Sequence, residues 1–313
     1  MSATCQQIID EVERAVVGKR DVLELVLIGV LAGGHVLLED LPGLGKTLLA
    51  RSFATTLGLS FRRVQFTPDL LPADVTGSYL FDQRDASLVF RPGPVFTQVL
   101  LADEINRTPP KTQAALLEAM GEGQVTIEGE TRLVPQPFVV LATENPVEYE
   151  GTYPLPEAQL DRFLLRTSLG YLAHADEVAL LAARIARAAE RVELRPVTNS
   201  EGVLMLQAAV EQVHVDPDLL AYTVDLVTAT REHPQTLVGA SPRGALGLVQ
   251  LARARALVRG RGHVLPEDLQ AVAVPCLAHR LVLRPELWAQ SLRPEAVVEQ
   301  VLVTVPTPAT RPG

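Results

Sequence analysis

A short apolar segment, a glycine-rich turn and a helical pattern follow one another near the start of the chain, and this order constrains the fold most. Residues 35–39 (HVLLE) have the pattern of a short buried strand, residues 40–45 are rich in glycine and proline, and a helical pattern runs from about Lys46 to Leu57. Such a turn presents backbone N–H groups at the amino end of a helix, where anions bind. The segment therefore predicts a phosphate-binding unit in an α/β fold.

The turn and the first residues of the helix closely resemble a Walker A loop, G-x-x-x-x-G-K-[ST], over residues 40–47 (DLPGLGKT). In such a loop, Lys46 would reach the β and γ phosphates and Thr47 would place its hydroxyl on Mg²⁺. Asp40 replaces the first glycine of the motif, and its charge is unfavourable near phosphates unless the side chain turns outward. Aspartate nevertheless tolerates left-handed backbone angles better than most residues, so the loop shape can survive the change. We expect the nucleotide to contact Pro42, Gly43, Leu44, Gly45, Lys46, Thr47 and Leu48.

The rest of the first half of the chain alternates between strand and helix patterns. Short apolar segments bounded by turn residues predict further strands at 61–65, 99–103, 138–142 and 164–168. Helical stretches separate several of them, and this alternation predicts a parallel α/β sheet.

Two acids end the apolar run at 99–102, and they are candidates for the catalytic centre. Parallel sheets bind ligands at the carboxyl ends of their strands, which is where Asp103 and Glu104 would lie. Asp103 would hold Mg²⁺, and Glu104 would orient and deprotonate the attacking water. An ordinary solvated acidic pair at the end of a strand is the alternative, and the phosphate loop upstream makes the catalytic interpretation the stronger one.

Three polar residues further along the chain are additional candidates. Asn145 follows the strand at 138–142 and could hydrogen-bond the γ-phosphate or the water, although asparagine before proline is also a common turn. Arg162 lies at the end of a helix just before the last strand, and Arg166 competes with it for the role of an arginine that a neighbouring subunit supplies to the transition state. A surface ion pair remains the alternative for either arginine.

The organisation of the remaining chain suggests two insertions and a second domain. Residues 67–96 and the hairpin-like pattern at 123–134 interrupt the strand–helix alternation. After about Gly170, helical patterns replace strand signals, at 174–190, 201–212, 217–231, 242–259 and 266–280. We therefore predict an α/β domain at 1–170, an all-helical domain at 171–285 and an extension at 286–313. The proline-rich end of that extension is expected to be disordered.

Composition argues against several other classes of protein. The 28 basic and 37 acidic residues give a formal net charge of −9, and aromatic residues make up only 4%, so a dedicated nucleic-acid binder is disfavoured. The two cysteines are too few for a disulfide framework and favour a reducing compartment. The longest apolar run, residues 25–34, has about half of the roughly 20 residues that a membrane span needs, and no export signal is visible. We expect a cytoplasmic protein without a membrane span.

Five segments in this order, EDLPGLGKT, VLLADEINR, ATENP, EAQLDRF and GASPRGAL, resemble AAA+ ATPases and, more narrowly, the MoxR family. The resemblance covers about residues 5–285, and an acid at position 40 is similar to what MoxR loops often carry. It implies a five-stranded parallel domain with a helical lid, commonly assembled as a hexameric ring with ATP between subunits. The roles it implies are Walker A at Lys46 and Thr47, Walker B at Asp103 and Glu104, sensor 1 at Asn145, an arginine finger at Arg162, sensor 2 at Arg243, and an adenine border at Val17 and Gly18.

The same resemblance implies a function. MoxR proteins are thought to be chaperone-like motors that mature protein complexes or insert metal into them, often with partners that carry a von Willebrand factor A domain. Residues 67–96 resemble the helix-2 insert of such ATPases and residues 123–134 resemble their pre-sensor insertion, two features that usually line the pore or the face that touches the client protein. Arg243 on the lid could couple the nucleotide to lid movement, in its own subunit or in a neighbour.

Three other functions stay open at this level. A nucleic-acid motor of the helix-2-insert group is disfavoured by the net charge and the few aromatic residues. A motor subunit of a metal chelatase has a similar architecture. A nucleotide-gated scaffold is disfavoured by Glu104, because a pure switch does not need an acid that activates water.

Overall fold

The computed structural model describes residues 1–146, 152–189, 192–286 and 292–308. The first part of the chain contains α1 (Ser2–Glu13), α2 (Arg20–Leu31), β1 (Val36–Glu39), α3 (Lys46–Thr56), β2 (Phe61–Gln65), α4 (Pro72–Thr76), β3 (Gly77–Asp82), β4 (Ser87–Pro92) and β5 (Val99–Asp103). A short 3₁₀ turn (Ile105–Arg107) leads to α5 (Pro110–Glu122), β6 (Gln124–Ile127), β7 (Glu130–Leu133), β8 (Val139–Glu144), α6 (Glu157–Leu160) and β9 (Leu165–Thr167).

The second part of the chain is mostly helical. It contains α7 (His174–Arg187), α8 (Ser200–Glu211), α9 (Pro217–Glu232), β10 (Thr236–Val238), α10 (Pro242–Val258), α11 (Pro266–Leu277), a 3₁₀ turn (Ala278–Arg280), β11 (Val282–Leu283) and α12 (Pro294–Thr304).

The central sheet has five parallel strands in the order β2-β5-β8-β1-β9, which confirms the predicted α/β class. Apolar side chains of β1 alternate between two cores: Val36 and Leu38 pack with α1, α2, α3 and the helical domain, whereas Leu37 packs with α5. Helices cover both faces, and the inner strands β1, β5 and β8 are accordingly largely apolar runs. Because all strands point the same way, the turns after β1, β5 and β8 meet at one edge of the sheet.

Two antiparallel hairpins project from this domain and touch each other. The hairpin β3–β4 pairs Tyr79 with Phe90, and the hairpin β6–β7 turns at Glu128 and Gly129, which both have positive φ. Arg132 of the second hairpin donates to the Tyr79 hydroxyl (2.8 Å), and its guanidinium lies 4.1 Å from the centre of the Phe90 ring. The hairpins are therefore joined by a cation–π contact and a hydrogen bond.

The second part of the chain differs from the all-helical prediction in two ways. The strands β10 and β11 form a short antiparallel pair, too short to leave an alternating pattern in the sequence. In addition, the segment that we predicted as an extension contains α12, whose Val297, Val298 and Val301 are buried, and α12 packs on α9 and α11. Residues 309–313 of the tail lie outside the described residues.

Within the described residues, none of the helices combines the length and the apolarity that crossing a membrane requires.

Candidate active site

The turn after β1 has the backbone geometry that a phosphate loop needs. Gly43 and Gly45 have φ of +83° and +88°, in the left-handed region that glycine adopts without strain. A Cβ built on either residue meets no described atom within 4 Å, so the space in front of the loop is open. Gly45 is the N-cap of α3, and this helix has no acidic residue in its first turn to occupy the free N–H groups. The loop therefore fits the phosphates of a nucleotide.

Lys46 is held inside this loop. Its Nζ donates to the backbone carbonyl of Asp40 at 2.6 Å, and the side chain is buried. Burial lowers the pKa of the Lys46 ammonium below its ordinary value, although Asp40, Asp103 and Glu104 pull it upward. The Lys46 ammonium is therefore poorly hydrated and lies near several acids. These properties suit a group that would exchange its present contacts for phosphate oxygens when a nucleotide binds.

The side chain of Asp40 does not turn outward, so its charge needs partners inside the protein. It is only 5% exposed, and its carboxylate accepts hydrogen bonds from the backbone N–H groups of Leu169 (2.5 Å) and Gly170 (2.9 Å). These two hydrogen bonds compensate the burial of the charge. Asp40 thus joins the phosphate loop to the segment that leads from β9 into the helical domain.

Replacing Asp40 by asparagine is expected to lower the free energy of unfolding by about 1–3 kcal/mol, because the new NH₂ group would face a buried backbone N–H. Urea unfolding followed by circular dichroism measures the loss. Asp85→Asn is the matched control, since Asp85 is exposed in the turn between β3 and β4. Equal stability of Asp40→Asn and the unmodified chain would show that these two hydrogen bonds contribute nothing.

Asp103, at the end of β5, lies in a network that orients both carboxylate oxygens. Oδ1 accepts from the Thr143 hydroxyl (2.6 Å), and Oδ2 accepts from Nε (3.0 Å) and Nη2 (2.6 Å) of Arg63 on β2. Carboxylate and hydroxyl oxygens are the ligands that Mg²⁺ prefers, and each carboxylate oxygen has more than one lone pair. The donor set of Asp103 and Thr47 therefore fits a magnesium ion that arrives with the nucleotide.

Glu104 has a left-handed backbone, with φ of +58° and ψ of +51°, which is uncommon for a residue other than glycine. Its backbone N–H donates to the Thr143 hydroxyl (2.8 Å), so neighbouring strands hold this turn in place. Its carboxylate accepts from Gln65 (2.7 Å) and pairs with Arg107 (3.2 Å). Strained backbone of this kind clusters at functional sites, because the surrounding contacts aim a side chain that would otherwise relax.

Asn145 directly follows β8, the strand between β5 and β1, and its side chain is buried. This places it between the two acids and the phosphate loop. The preceding Glu144 lies opposite Glu39 in the parallel register. Burial and the nearby Glu39 raise the pKa of Glu144 to about 7, against the opposing effect of Arg166. A protonated Glu144 can lie beside Glu39 without repulsion at this edge of the sheet.

The turn between α1 and α2, which contains Val17 and Gly18, lies on the same side of the molecule as the Asp40 contacts. Gly18 has φ of +71°, and a Cβ there would lie 2.5 Å from Cγ of Asp176 in α7. Lys19 donates to the backbone carbonyl of Tyr171 (2.7 Å), next to Gly170. The predicted border for adenine therefore lies near the phosphate loop.

Arg162 and Arg243 lie together at the other end of β1. Arg162 donates to the backbone carbonyl of Leu117 (2.6 Å), and both arginines line a groove of about 540 Å³ with His35, the residue before β1. The phosphate loop follows the opposite end of this strand, and four strand residues alone span roughly 13 Å. One copy of the chain thus brings the loop, the acids and Asn145 together and leaves the two arginines on a separate surface.

Arg166, the competing candidate, pairs within its own chain. It contacts Glu39 of β1 (3.0 Å) and Glu295 of α12 (2.6 Å). These contacts explain Arg166 as a link between the sheet and the last helix. Arg162, which lies in the groove beside Arg243, therefore remains the candidate for the arginine that a neighbouring subunit supplies.

Several residues of the site were missed from the sequence. Arg63 and Gln65 orient the two acids from β2, and Thr143 does so from β8. The polar residues at positions 63 and 65 lie two apart, and so on one face of β2, in a sheet that is otherwise mostly buried. This spacing is the signal in the sequence that could have indicated Arg63 and Gln65. Around the arginines, Asp161 pairs with the buried Arg280 (2.8 Å) and accepts from Ser241, the N-cap of α10, but these positions are far apart in the sequence.

Comparison with known proteins agrees with this geometry. The model of the ATPase family associated with various cellular activities (AAA) matches residues 35–165, and the model of the AAA lid domain matches residues 228–301. A crystal structure from Cytophaga hutchinsonii, described as a candidate ATPase, superposes with a TM-score of 0.91 at 40% identity, over 98% of this chain and 96% of that one. The fold and the site thus define an ATPase with a helical lid.

Relatives identify the branch of this class. The chain is 46% identical to the uncharacterised protein YeaC of Bacillus subtilis, over 97% of this chain and 94% of that protein. It is 42% identical to Chaperone MoxR1 of Mycobacterium tuberculosis, over 97% of this chain and 82% of that protein. The chain belongs to the MoxR family of AAA+ ATPases.

Proposed function

We propose that this ATPase works as a chaperone-like ring, with six subunits as the resemblance to AAA+ ATPases implies. The ring binds ATP with Mg²⁺ between adjacent copies and uses hydrolysis to remodel client proteins. The observation that carries the proposal is the position of Arg162 and Arg243, which lie together at the opposite end of β1 from the phosphate loop. A ring of identical head-to-tail contacts brings these two surfaces together at every interface.

Each group has a defined task at such an interface. The loop N–H groups and Lys46 bind the phosphates, and Thr47 and Asp103 would hold Mg²⁺, which would supply positive charge against the phosphates. Glu104 takes a proton from the attacking water, and Asn145 hydrogen-bonds the γ-phosphate. Arg162 of the adjacent copy then stabilises the charge that develops in the transition state. Arg243 of the same adjacent copy contacts the nucleotide and couples its presence to the position of the lid on which Arg243 lies.

Exposed apolar side chains on the two joined hairpins support the proposal that the client is a protein. The tip of β3–β4 exposes Leu80, Phe81, Leu88 and Val89, and β7 exposes Leu133. Clustered exposed apolar side chains mark sites that bind other proteins. The name of the mycobacterial relative supports chaperone activity. The resemblance to MoxR proteins extends the proposal to the cytoplasm, to a partner with a von Willebrand factor A domain and to a role in metal insertion or complex maturation.

Capture of an unfolded polypeptide tests the client proposal. We expect Phe81→Ser combined with Leu88→Ser to weaken binding of fluorescent, reduced and carboxymethylated α-lactalbumin more than tenfold, because each large apolar side chain contributes about 1.5–3 kcal/mol on burial. ATP hydrolysis should stay unchanged. Val303→Ser is the control, since Val303 is an exposed apolar residue on α12. Undiminished capture by the double variant would contradict the proposal, and tighter binding of single-stranded DNA than of the polypeptide would favour a nucleic-acid motor.

A further inference from the structure

Helix α7 presents its apolar side to solvent. Val178, Leu181 and Ile185 recur at intervals of three and four residues, so they form one stripe along the helix, and they are 52%, 60% and 79% exposed. Leu180, on the opposite side of the helix, is less exposed than any of the three. None of the residues of α7, all of which the structure describes, is buried. These three residues, which we call the α7 stripe, thus face away from their own chain, whereas folding alone would favour burial of apolar side chains.

The α7 stripe begins beside the nucleotide site. Asp176, in the first turn of α7, lies against Gly18, and Tyr171 accepts a hydrogen bond from Lys19. Gly170, a few residues earlier, donates to Asp40 at the start of the phosphate loop. The stripe therefore borders the surface to which a second copy must bring its arginines under the proposed function.

The arginine groove carries an apolar complement to this stripe. Leu246 is 73% exposed and lies three residues after Arg243 on α10, so the two side chains are neighbours on the helix surface. Leu220 of α9 lines the same groove and is 45% exposed. Both surfaces carry charges of both signs: α7 has Asp176 and Glu177 in its first turn and Arg184 and Arg187 in its last, and the groove contains Arg162 and Arg243 beside Asp161 and Glu211.

We propose that the α7 stripe of one copy docks on Leu220 and Leu246 of a second copy, and that this contact brings Arg162 and Arg243 of the second copy to the nucleotide of the first. The proposal rests on the shared site described under the proposed function. Three features support a second copy as the occupant: the site is divided between two surfaces, the stripe lies next to one of them, and its apolar complement lies on the other. A contact of this kind makes assembly a condition of catalysis.

Cysteine cross-linking between two different variants tests the contact. The natural Cys5 and Cys276 are buried, so introduced cysteines are the accessible ones. Ile185→Cys mixed with Leu246→Cys, in the presence of ATP, Mg²⁺ and a mild oxidant, should give a covalent dimer as the main cross-linked product. Each variant alone should stay monomeric on a non-reducing gel. Ile185→Cys mixed with Val303→Cys is the matched control and should give no dimer.

A second variant measures the energetic role of the contact. Ile185→Asp should raise the concentration needed for assembly and activity by about one to two orders of magnitude, because an apolar contact is replaced by a charge. Nucleotide affinity of the isolated subunit should not change, and Val303→Asp should behave as the unmodified chain.

Three outcomes would overturn the proposed contact. The first is assembly without a cross-link between positions 185 and 246, and the second is a dimer of Ile185→Cys alone, which would indicate that α7 packs on α7. Either of these leaves the shared active site intact. The third is failure of the unmodified chain to assemble with ATP, which would overturn the ring and this contact together.

Discussion

Replacing Glu104 by glutamine is expected to lower kcat for ATP hydrolysis about 100- to 10,000-fold, the usual contribution of a general base. The amide cannot take a proton from water, but it keeps the size of the side chain and its contact with Gln65. ATP affinity should therefore stay close to that of the unmodified chain. Phosphate release measures kcat, and a fluorescent nucleotide measures affinity.

Lys46→Ala and Glu201→Gln are the comparisons for this result. Lys46→Ala should lose tight ATP binding, because Lys46 is the buried cation of the phosphate loop. Glu201→Gln should have no effect, because Glu201 is exposed in the first turn of α8 and is not among the residues that line the arginine groove. Equal loss of ATP binding in Lys46→Ala and Glu104→Gln would contradict the separate roles that we assign to the two residues.

Replacing Arg162 by alanine is expected to leave ATP binding intact and to lower hydrolysis by about 10³-fold or more, as is typical when an arginine finger is removed. Arg162 lies on a different surface from the phosphate loop of its own chain, so under the proposed function its effect crosses a subunit boundary. Mixing Arg162→Ala with Glu104→Gln should therefore restore part of the activity, because some interfaces then combine an intact Glu104 with an intact Arg162.

Arg166→Ala is the matched control for the mixing experiment. Arg166 pairs with Glu39 and Glu295 of its own chain, so any loss of activity should follow loss of stability and should not be restored by Glu104→Gln. Fluorescence transfer between labelled subunits shows whether the rings exchange their members. Exchange without recovery of activity would contradict the role of Arg162 in the adjacent copy.

The sequence predicted those features that depend on short stretches of the chain. The strands β1, β5 and β8 are compact apolar runs, and the phosphate loop is a local motif, so both could be found from residue patterns. The strands β10 and β11 were missed because two or three residues form no recognisable period. Helix α12 was missed because its short valine stripe is buried only by packing on α9 and α11, which are distant in the sequence.

Features that depend on distant contacts could not be predicted in the same way. The inward turn of Asp40 depends on backbone N–H groups at positions 169 and 170, more than a hundred residues away. The support of Asp103 by Arg63 depends on which strand pairs with β5. The position of Arg243 depends on how the helical domain packs on the sheet domain, and no local pattern encodes that arrangement.

The most direct test of the account is the rate of Mg²⁺-dependent ATP hydrolysis per subunit, measured against protein concentration while light scattering follows assembly. Glu104→Gln provides the blank. The account predicts that the rate per subunit rises steeply over the concentrations at which rings form, because the site needs Arg162 from an adjacent copy. A substantial rate that is independent of concentration, in a sample that stays monomeric, would contradict the shared active site.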